Sequence, residues 1–298
     1  MLPLRRHALY DFSIALIIGL VAGTVGGLAG IGGSIIMLPA LAIIFGYKTP
    51  EQNEQHLYIG AAMCVNVVVS FFSWGRHRKA GAVRRDIAVP LAIAMCTFVL
   101  AGVFWGSSLS GVWPGRALIV FILGYAIYNV VATIRGKTEQ PLDAPRPSLW
   151  VLVPIGAVTG VASGFLGIGG GIVLVPLLQA AKVPLRQAIA SSAAVMWISA
   201  AIGATFKLSL LHNYGLHPLD ALAFAGPMAL GAVFGARAGA TMTHKLKLPW
   251  LRTSIAVILA AAAIRMGMAD YKQYKSHNGT GVESSTPNEQ VPVVAPSP

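Results

Sequence analysis

Charge is what this sequence has least of. Asp, Glu, Lys and Arg together make up 11% of its 298 residues, under half of the quarter or so that a soluble domain spends on keeping its surface in water. With 55% hydrophobic residues, the chain cannot be a water-soluble globule, and lipid has to cover much of it. Acidic residues are the scarcer sign, ten against 22 Lys and Arg, which leaves little for a carboxylate proton relay through a membrane. Cysteine is nearly missing. Cys64 and Cys96 both fall inside apolar segments, which excludes a disulfide framework and suggests two buried thiols. The sequence has no Walker lysine motif, no dinucleotide fingerprint with its acidic partner and no His/Cys/carboxylate group at metal-ligand spacing. No enzyme site, metal or cofactor is therefore expected.

What the sequence does have is long uncharged runs. Residues 12–47, 57–75, 87–115, 117–134, 148–181 and 187–206 contain no Asp, Glu, Lys or Arg, and a membrane-crossing helix needs about 20 such residues. Two weaker runs, 221–236 and 248–269, have Arg237, Arg252 and Arg265 in or beside them. Eight apolar segments result, in an all-α, multi-pass protein of an inner or plasma membrane. The basic start followed by an apolar run imitates a secretory signal, but the run exceeds such a signal's apolar core and its pattern recurs in mid-chain.

The net charge of +12 would suggest nucleic acid in a soluble protein. In this chain the cations sit in short loops, where they orient a membrane protein and call for no nucleic acid. Arg76, Arg78, Lys79, Arg84 and Arg85 form one cluster; Arg5 and Arg6 precede the first segment; Arg135, Lys137 and Arg146 follow the fourth. One crossing per segment would put all three groups on a single, cytoplasmic side, but would leave Lys245, Lys247 and Arg252 outside. From residue 276 the chain turns polar and Pro-containing, as disordered tails do. The expected organisation is an N-terminal arm (1–11), a first membrane half (12–134), a linker (135–147), a second half (148–269) and a polar tail (270–298).

The two halves resemble one another. Residues 23–39 read GTVGGLAGIGGSIIMLP and residues 160–176 read GVASGFLGIGGGIVLVP, with eight of 17 positions identical. Pro50 and Pro184 each precede the next apolar run, and GVFWG (102–106) answers GAVFG (231–235). Internal duplication is common in secondary transporters, whose site lies where the repeats meet near the midplane.

The glycines explain a problem of length. The run 12–47 has 36 residues and as one helix would measure ~54 Å, against a hydrocarbon core of ~30 Å. A break at the glycine-rich stretch resolves this, either as two half-helices or as a re-entrant hairpin. Broken backbone at membrane depth is tolerated where it is buried in protein or lines a watery cavity. Half-helices beginning near Ser34 and Gly171 would point their N–H groups and dipoles at a small anion. Gly23 and Gly27, Gly160 and Gly164, and Gly102 and Gly106 keep small-xxx-small spacing and are assigned to helix packing. Gly30, Gly32 and Gly33, with Gly167, Gly169, Gly170 and Gly171, fit no single stripe and are assigned to the substrate site.

The doubled glycine motif, four apolar segments per half and the basic loop before the third segment resemble the TauE/SafE sulfite-exporter-like permeases, over roughly residues 12–269. The resemblance implies transport of a small anion, often a sulfur oxyanion or sulfonate such as sulfite; import of an anion against the potential would call for a coupled cation, H+ or Na+. It also directs attention to Ala190-Ser191-Ser192-Ala193, a small hydroxyl-bearing stretch that the first half replaces with Tyr58-Ile59-Gly60-Ala61.

Other polar residues in apolar surroundings have two readings each. Asn66 either binds substrate or makes an interhelical hydrogen bond. Ser191 and Ser192 either donate to an oxyanion or bond back to their own helix. Arg237 either draws an anion inward or snorkels from a helix end. His56 borders an apolar segment and reads as an exposed loop histidine, although it has the chemistry of a proton carrier. Trp74, Trp105, Trp113 and Trp150 sit near segment ends as interfacial anchors.

Three functions fit: a secondary transporter for a small anion, an anion channel, and a membrane-embedded enzyme or assembly factor of sulfur metabolism. The duplication points to a transporter or a channel rather than to the third. The inside-negative potential drives an anion outward at ~2.3 kcal/mol per charge per 100 mV, and with so few carboxylates this favours export. The repeats are parallel if every segment crosses once, and inverted if each glycine segment turns back. Length favours inversion.

Overall fold

The computed structural model describes residues 8–29, 32–134 and 145–242, with 264, 265, 267, 268 and 271. Arg5, Arg6, Gly30, most of the linker 135–147, Lys245, Lys247, Arg252, most of the run 248–269 and nearly all of the tail 270–298 lie outside the described residues. The described residues form α-helices with one short 3-10 turn and no strand.

In the first half the helices are α1 (Ala8–Ala29), α2 (Ser34–Phe45), α3 (Glu54–Lys79), α4 (Arg85–Ser107) and α5 (Val112–Ile134). The second half contributes α6 (Leu149–Leu166), α7 (Gly171–Ala180), α8 (Leu185–Ser209), the 3-10 turn Leu211–Tyr214 and α9 (Pro218–Met242). Six helices, α1, α3, α4, α6, α8 and α9, are long and apolar enough to cross a membrane. Each over-long run has split in two. The helix stops at Ala29 and restarts at Ser34, then stops at Leu166 and restarts at Gly171. At ~1.5 Å per residue, α2 and α7 reach ~18 and ~15 Å, about half the hydrocarbon core.

Close approaches at glycine fix the helix directions. A Cβ on Gly23 would lie 2.7 Å from the backbone of Ala232, and Gly19 and Gly27 meet Met228 and Ala236, so α1 and α9 run the same way. Gly156, Gly160 and Gly164 of α6 meet Leu91, Met95 and Val99 of α4 in the same order, so that pair is also parallel. Only glycine lets two backbones come so near, which is the role assigned to these spacings. Arg237 lies over Phe72, and Arg76 bonds to Thr241, at the ends where α3 and α9 finish together. Arg84 bonds to Gln187 where α4 and α8 both begin. Helices α1, α3 and α9 thus run one way and α4, α6 and α8 the other.

Since α1 and α3 share a direction, the chain must come back between them, and α2 is the return stroke. Ser34 bonds to Asn66 half-way along α3, while the Gly46 carbonyl accepts from the Tyr58 hydroxyl near its start. In the same way α7 returns the chain so that α8 can follow the direction of α6. Each glycine segment is a re-entrant hairpin, and the helices of the two halves point in opposite senses. These helix directions accord with the inverted arrangement that length favours, not with the parallel one from single crossings. The basic turn Arg76–Arg85 lies on the face opposite the start of α1, and α9 ends on that same basic face.

Helices α3 and α8 make the centre. About 67% of the apolar stretch of each is buried, against 39–44% for the corresponding stretches of the other four spanning helices. Around them Ile93, Phe104, Val120, Phe234 and Val158 turn outward as a lipid-facing coat. Trp105, Trp113 and Trp150 are exposed near helix ends, as interfacial anchors are. Trp74 instead stacks on Trp197, and Cys64 and Cys96 are free and half-buried.

Candidate functional site

The two glycine motifs meet at the centre, with Asn66 of α3 between them. The Asn66 side-chain carbonyl accepts from the Gly33 N–H at 3.0 Å, and its amide donates to the Ser34 hydroxyl. The same amide faces the second motif, because a Cβ on Gly169 would lie 2.6 Å from Asn66 Nδ2. Gly32 comes within 3.5 Å of the Ile168 carbonyl by the same measure. Met196 of α8 closes the group, its methyl 2.8 Å from a Cβ on Gly32 and 3.2 Å from one on Gly169. Both motifs need glycine here. Gly32 has φ +77° and Gly169 φ +72°, left-handed values that side chains resist, and neither has room for a Cβ.

Helices α2 and α7 start at this centre and run to opposite faces. Their N-cap residues, Gly33 and Gly170, have no side chain with which to cap them. The first N–H groups of a helix lack intrahelical acceptors and carry partial positive charge. Two such ends therefore concentrate donors and positive potential at mid-depth without a formal charge. Hydroxyls add to this. Thr159 and Ser163, one turn apart on α6, flank Gly170, with side-chain carbons 3.0 and 3.3 Å from a Cβ placed there. Both are buried, and their hydroxyls have no hydrogen-bond partner. Ser191 is likewise buried and unpartnered. Ser192 is buried beside the Met196 sulfur at 3.5 Å. A buried, unpaired hydroxyl is costly to leave unmet.

The structure thus gathers Gly32, Gly33, Ser34, Gly169, Gly170 and Asn66 into one place. Gly171 opens α7, and Gly167 turns the preceding corner against Ile59. Asn66 has both roles open to it, bridging helices and pointing at both motifs. Arg237 belongs elsewhere. It is exposed at the end of α9, its guanidinium 4.5 Å from the Phe72 ring. With Trp74, Arg76 and Lys79 it lines an open groove of about 430 Å³ on the basic face. The snorkelling reading describes it, because an Arg stem lies easily along apolar surface while its head reaches water.

Four residues were misjudged or missed in sequence. His56 is fully buried, because α3 begins before it, at Glu54, and its ring is covered by the Leu109 carbonyl. Lys207, buried as well, escaped notice because a cation ending an apolar run looks like any helix-end lysine. Thr159 and Ser163 were hidden in an apolar helix. Their signal is a pair of hydroxyls four apart, directly before the second motif.

The comparisons with known proteins agree with this architecture. The family described as Sulfite exporter TauE/SafE matches residues 15–266. A probable membrane transporter protein of Methanocaldococcus jannaschii is 26% identical over 85% of this chain and 94% of its own length. A probable membrane transporter protein of Haemophilus influenzae is 27% identical over 85% of this chain and 97% of its own. One from Xylella fastidiosa reaches 31% identity over 74% of this chain and 80% of its own. No solved structure matches the chain.

Proposed function

Because the chain belongs to the sulfite exporter TauE/SafE family of membrane transporters, we propose that it is a secondary transporter for a small sulfur-containing oxyanion, such as sulfite or an organosulfonate. The observation that carries this reading is Asn66 bridging two glycine breaks, each of which opens a half-helix. An oxyanion entering there replaces the mutual contacts of Asn66 and Ser34 with bonds to its own oxygens. It takes further bonds from the first N–H groups of α2 and α7 and from Thr159, Ser163 and Ser191. Binding is then neutral-donor solvation, strong enough to strip water and weak enough to let the anion leave.

The basic face, with Arg76, Arg78, Lys79, Arg84 and Arg85, is the cytoplasmic one under the positive-inside bias. An anion loaded from that face moves outward down the membrane potential without a coupled ion. Opposed halves around one central site suit alternating exposure to the two faces.

Purified protein in liposomes is expected to carry labelled sulfite with saturation and with counter-flow. Flux that rises linearly with concentration and shows no counter-flow would mean a channel. Absence of flux for sulfite and for a panel of sulfonates would end the proposal. In detergent, sulfite is expected to raise the thermal midpoint, since a ligand that binds only the folded state stabilises it.

A further inference from the structure

The proposed transport site makes no use of the most deeply buried Lys or Arg among the described residues. Lys207, near the end of α8, is 2% exposed. Its Nζ lies 2.8 Å from His56 Nδ1 and 2.6 Å from the Ser107 hydroxyl. The far ring nitrogen of His56, Nε2, is 3.0 Å from the Leu109 carbonyl. A carbonyl only accepts, so Nε2 carries the hydrogen, Nδ1 is bare, and Lys207 is the donor of the pair. Tyr214 stacks on the His56 ring at 4.0 Å and donates to the Ser107 carbonyl. The Lys207 ammonium stands 5.8 Å from the Tyr214 ring.

Every partner of this cation is neutral. Glu54, two residues before His56, accepts instead from the Thr49 hydroxyl at 3.4 Å. Asp220, at the start of α9, is half-buried and forms no ion pair with Lys207. Among the described residues the ion pair is Arg84–Asp86, at the other face. A buried charge without a counter-charge is costly, and an apolar residue of similar size packs at least as well. The cluster also has a telling position. Lys207 and Tyr214 come from the second half, whereas His56, Ser107 and Leu109 come from the first. These bonds close the seam between the halves on the face opposite the basic turns.

We propose that Lys207 is a second binding residue for the transported anion, at the outer end of its path. It rests on the reading of this chain as an anion carrier. The arriving anion displaces His56 and Ser107 as acceptors for the ammonium. A full negative charge attracts the buried cation more strongly than the dipoles of an imidazole and a hydroxyl do. The exchange cuts the bonds that tie the halves together, so the presence of the anion at this point opens the way out. The ligand class is a small oxyanion.

The test uses the whole protein in liposomes of known orientation, with sulfite as the probe on each face in turn. Lys207→Met is expected to raise the half-saturation for sulfite at the outer face at least tenfold, with less than twofold change at the basic face. Lys207→Arg keeps the charge and is expected to fall between. His56→Leu and Ser107→Ala, which remove the competing acceptors, are expected to lower the outer half-saturation. Unchanged half-saturation in Lys207→Met would overturn the inference and leave Lys207 a packing residue. Should Lys207→Met not fold, hydrogen exchange on the wild-type protein decides. Sulfite is expected to speed exchange in the segments around His56 and residues 211–214, and unaltered exchange counts against the proposal. A wild-type protein that carries sulfite beside an indifferent Lys207→Met defeats this inference alone. A wild-type protein that neither binds nor carries any oxyanion defeats the anion-carrier reading beneath it as well.

Discussion

Asn66 and Gly169 show how little space the centre leaves. Gly169→Ala puts a methyl 2.6 Å from the Asn66 amide and forces a side chain to accept φ +72°, at about 1–2 kcal/mol for the backbone alone. The helices on either side are untouched, so we expect normal expression, with sulfite flux down by about tenfold or more, equivalent to ~1.4 kcal/mol of lost binding or barrier. Gly75→Ala, where nothing lies within 4 Å, is the control and should carry sulfite at the wild-type rate. Asn66→Asp keeps the shape but sets a negative charge between the two motifs. Its purified form should lose the rise in thermal midpoint that sulfite gives the wild type. A sulfite-stabilised Asn66→Asp would place the anion elsewhere. Part of this site was legible in the sequence, since glycine and asparagine inside an apolar run are conspicuous. Thr159 and Ser163 were not, because hydroxyls are ordinary in membrane helices and only their position beside Gly170 makes them unusual.

At the scale of the helices, the break points were legible for a geometric reason. A run of 36 uncharged residues cannot cross a ~30 Å core unbroken, and the glycines marked where it would fail. The same argument did not say which neighbours α1 and α6 would choose. Those pairings rest on Gly23 and Gly27 against α9 and on Gly160 and Gly164 against α4. Gly23→Leu should therefore behave unlike Gly169→Ala. It drives a side chain into the backbone of Ala232, and overpacking of this kind costs roughly 1–3 kcal/mol even where some adjustment is possible. We expect Gly23→Leu to reduce the yield of monodisperse protein in detergent, with whatever folds still responding to sulfite. Full yield with lost flux would move Gly23 from packing to the site.

For the whole molecule, charge and length disagreed in the sequence, and the helix directions explain the disagreement. Counting one crossing per segment gathers three basic groups on one face but leaves Lys245, Lys247 and Arg252 on the other. With α2 and α7 as return strokes, the turn Arg76–Arg85 and the end of α9 share one face. Cysteines introduced at Lys79 and at Tyr10, in a background lacking Cys64 and Cys96, should react with an impermeant maleimide from opposite sides of sealed cells. Reaction from the same side would contradict the re-entrant hairpins. His56 marks the limit of sequence reading at this scale, because its burial depends on which half covers it.

The two halves do not contribute alike to the centre: Asn66 and Ser34 come from one, and Thr159 and Ser163 from the other. In a carrier built of interchangeable halves, the inward-open and outward-open forms would be mirror equivalents of equal energy. Here they are chemically different objects, and the Lys207–His56 seam adds weight to one of them. For transport with no coupled ion, such inequality cannot shift the final distribution of the anion, which the electrochemical gradient alone sets. It can only divide the kinetics unequally, giving a different half-saturation and maximal rate on each face, with the ratios tied together by that equilibrium. A carrier of this kind works faster in one direction under saturating load while remaining fully reversible.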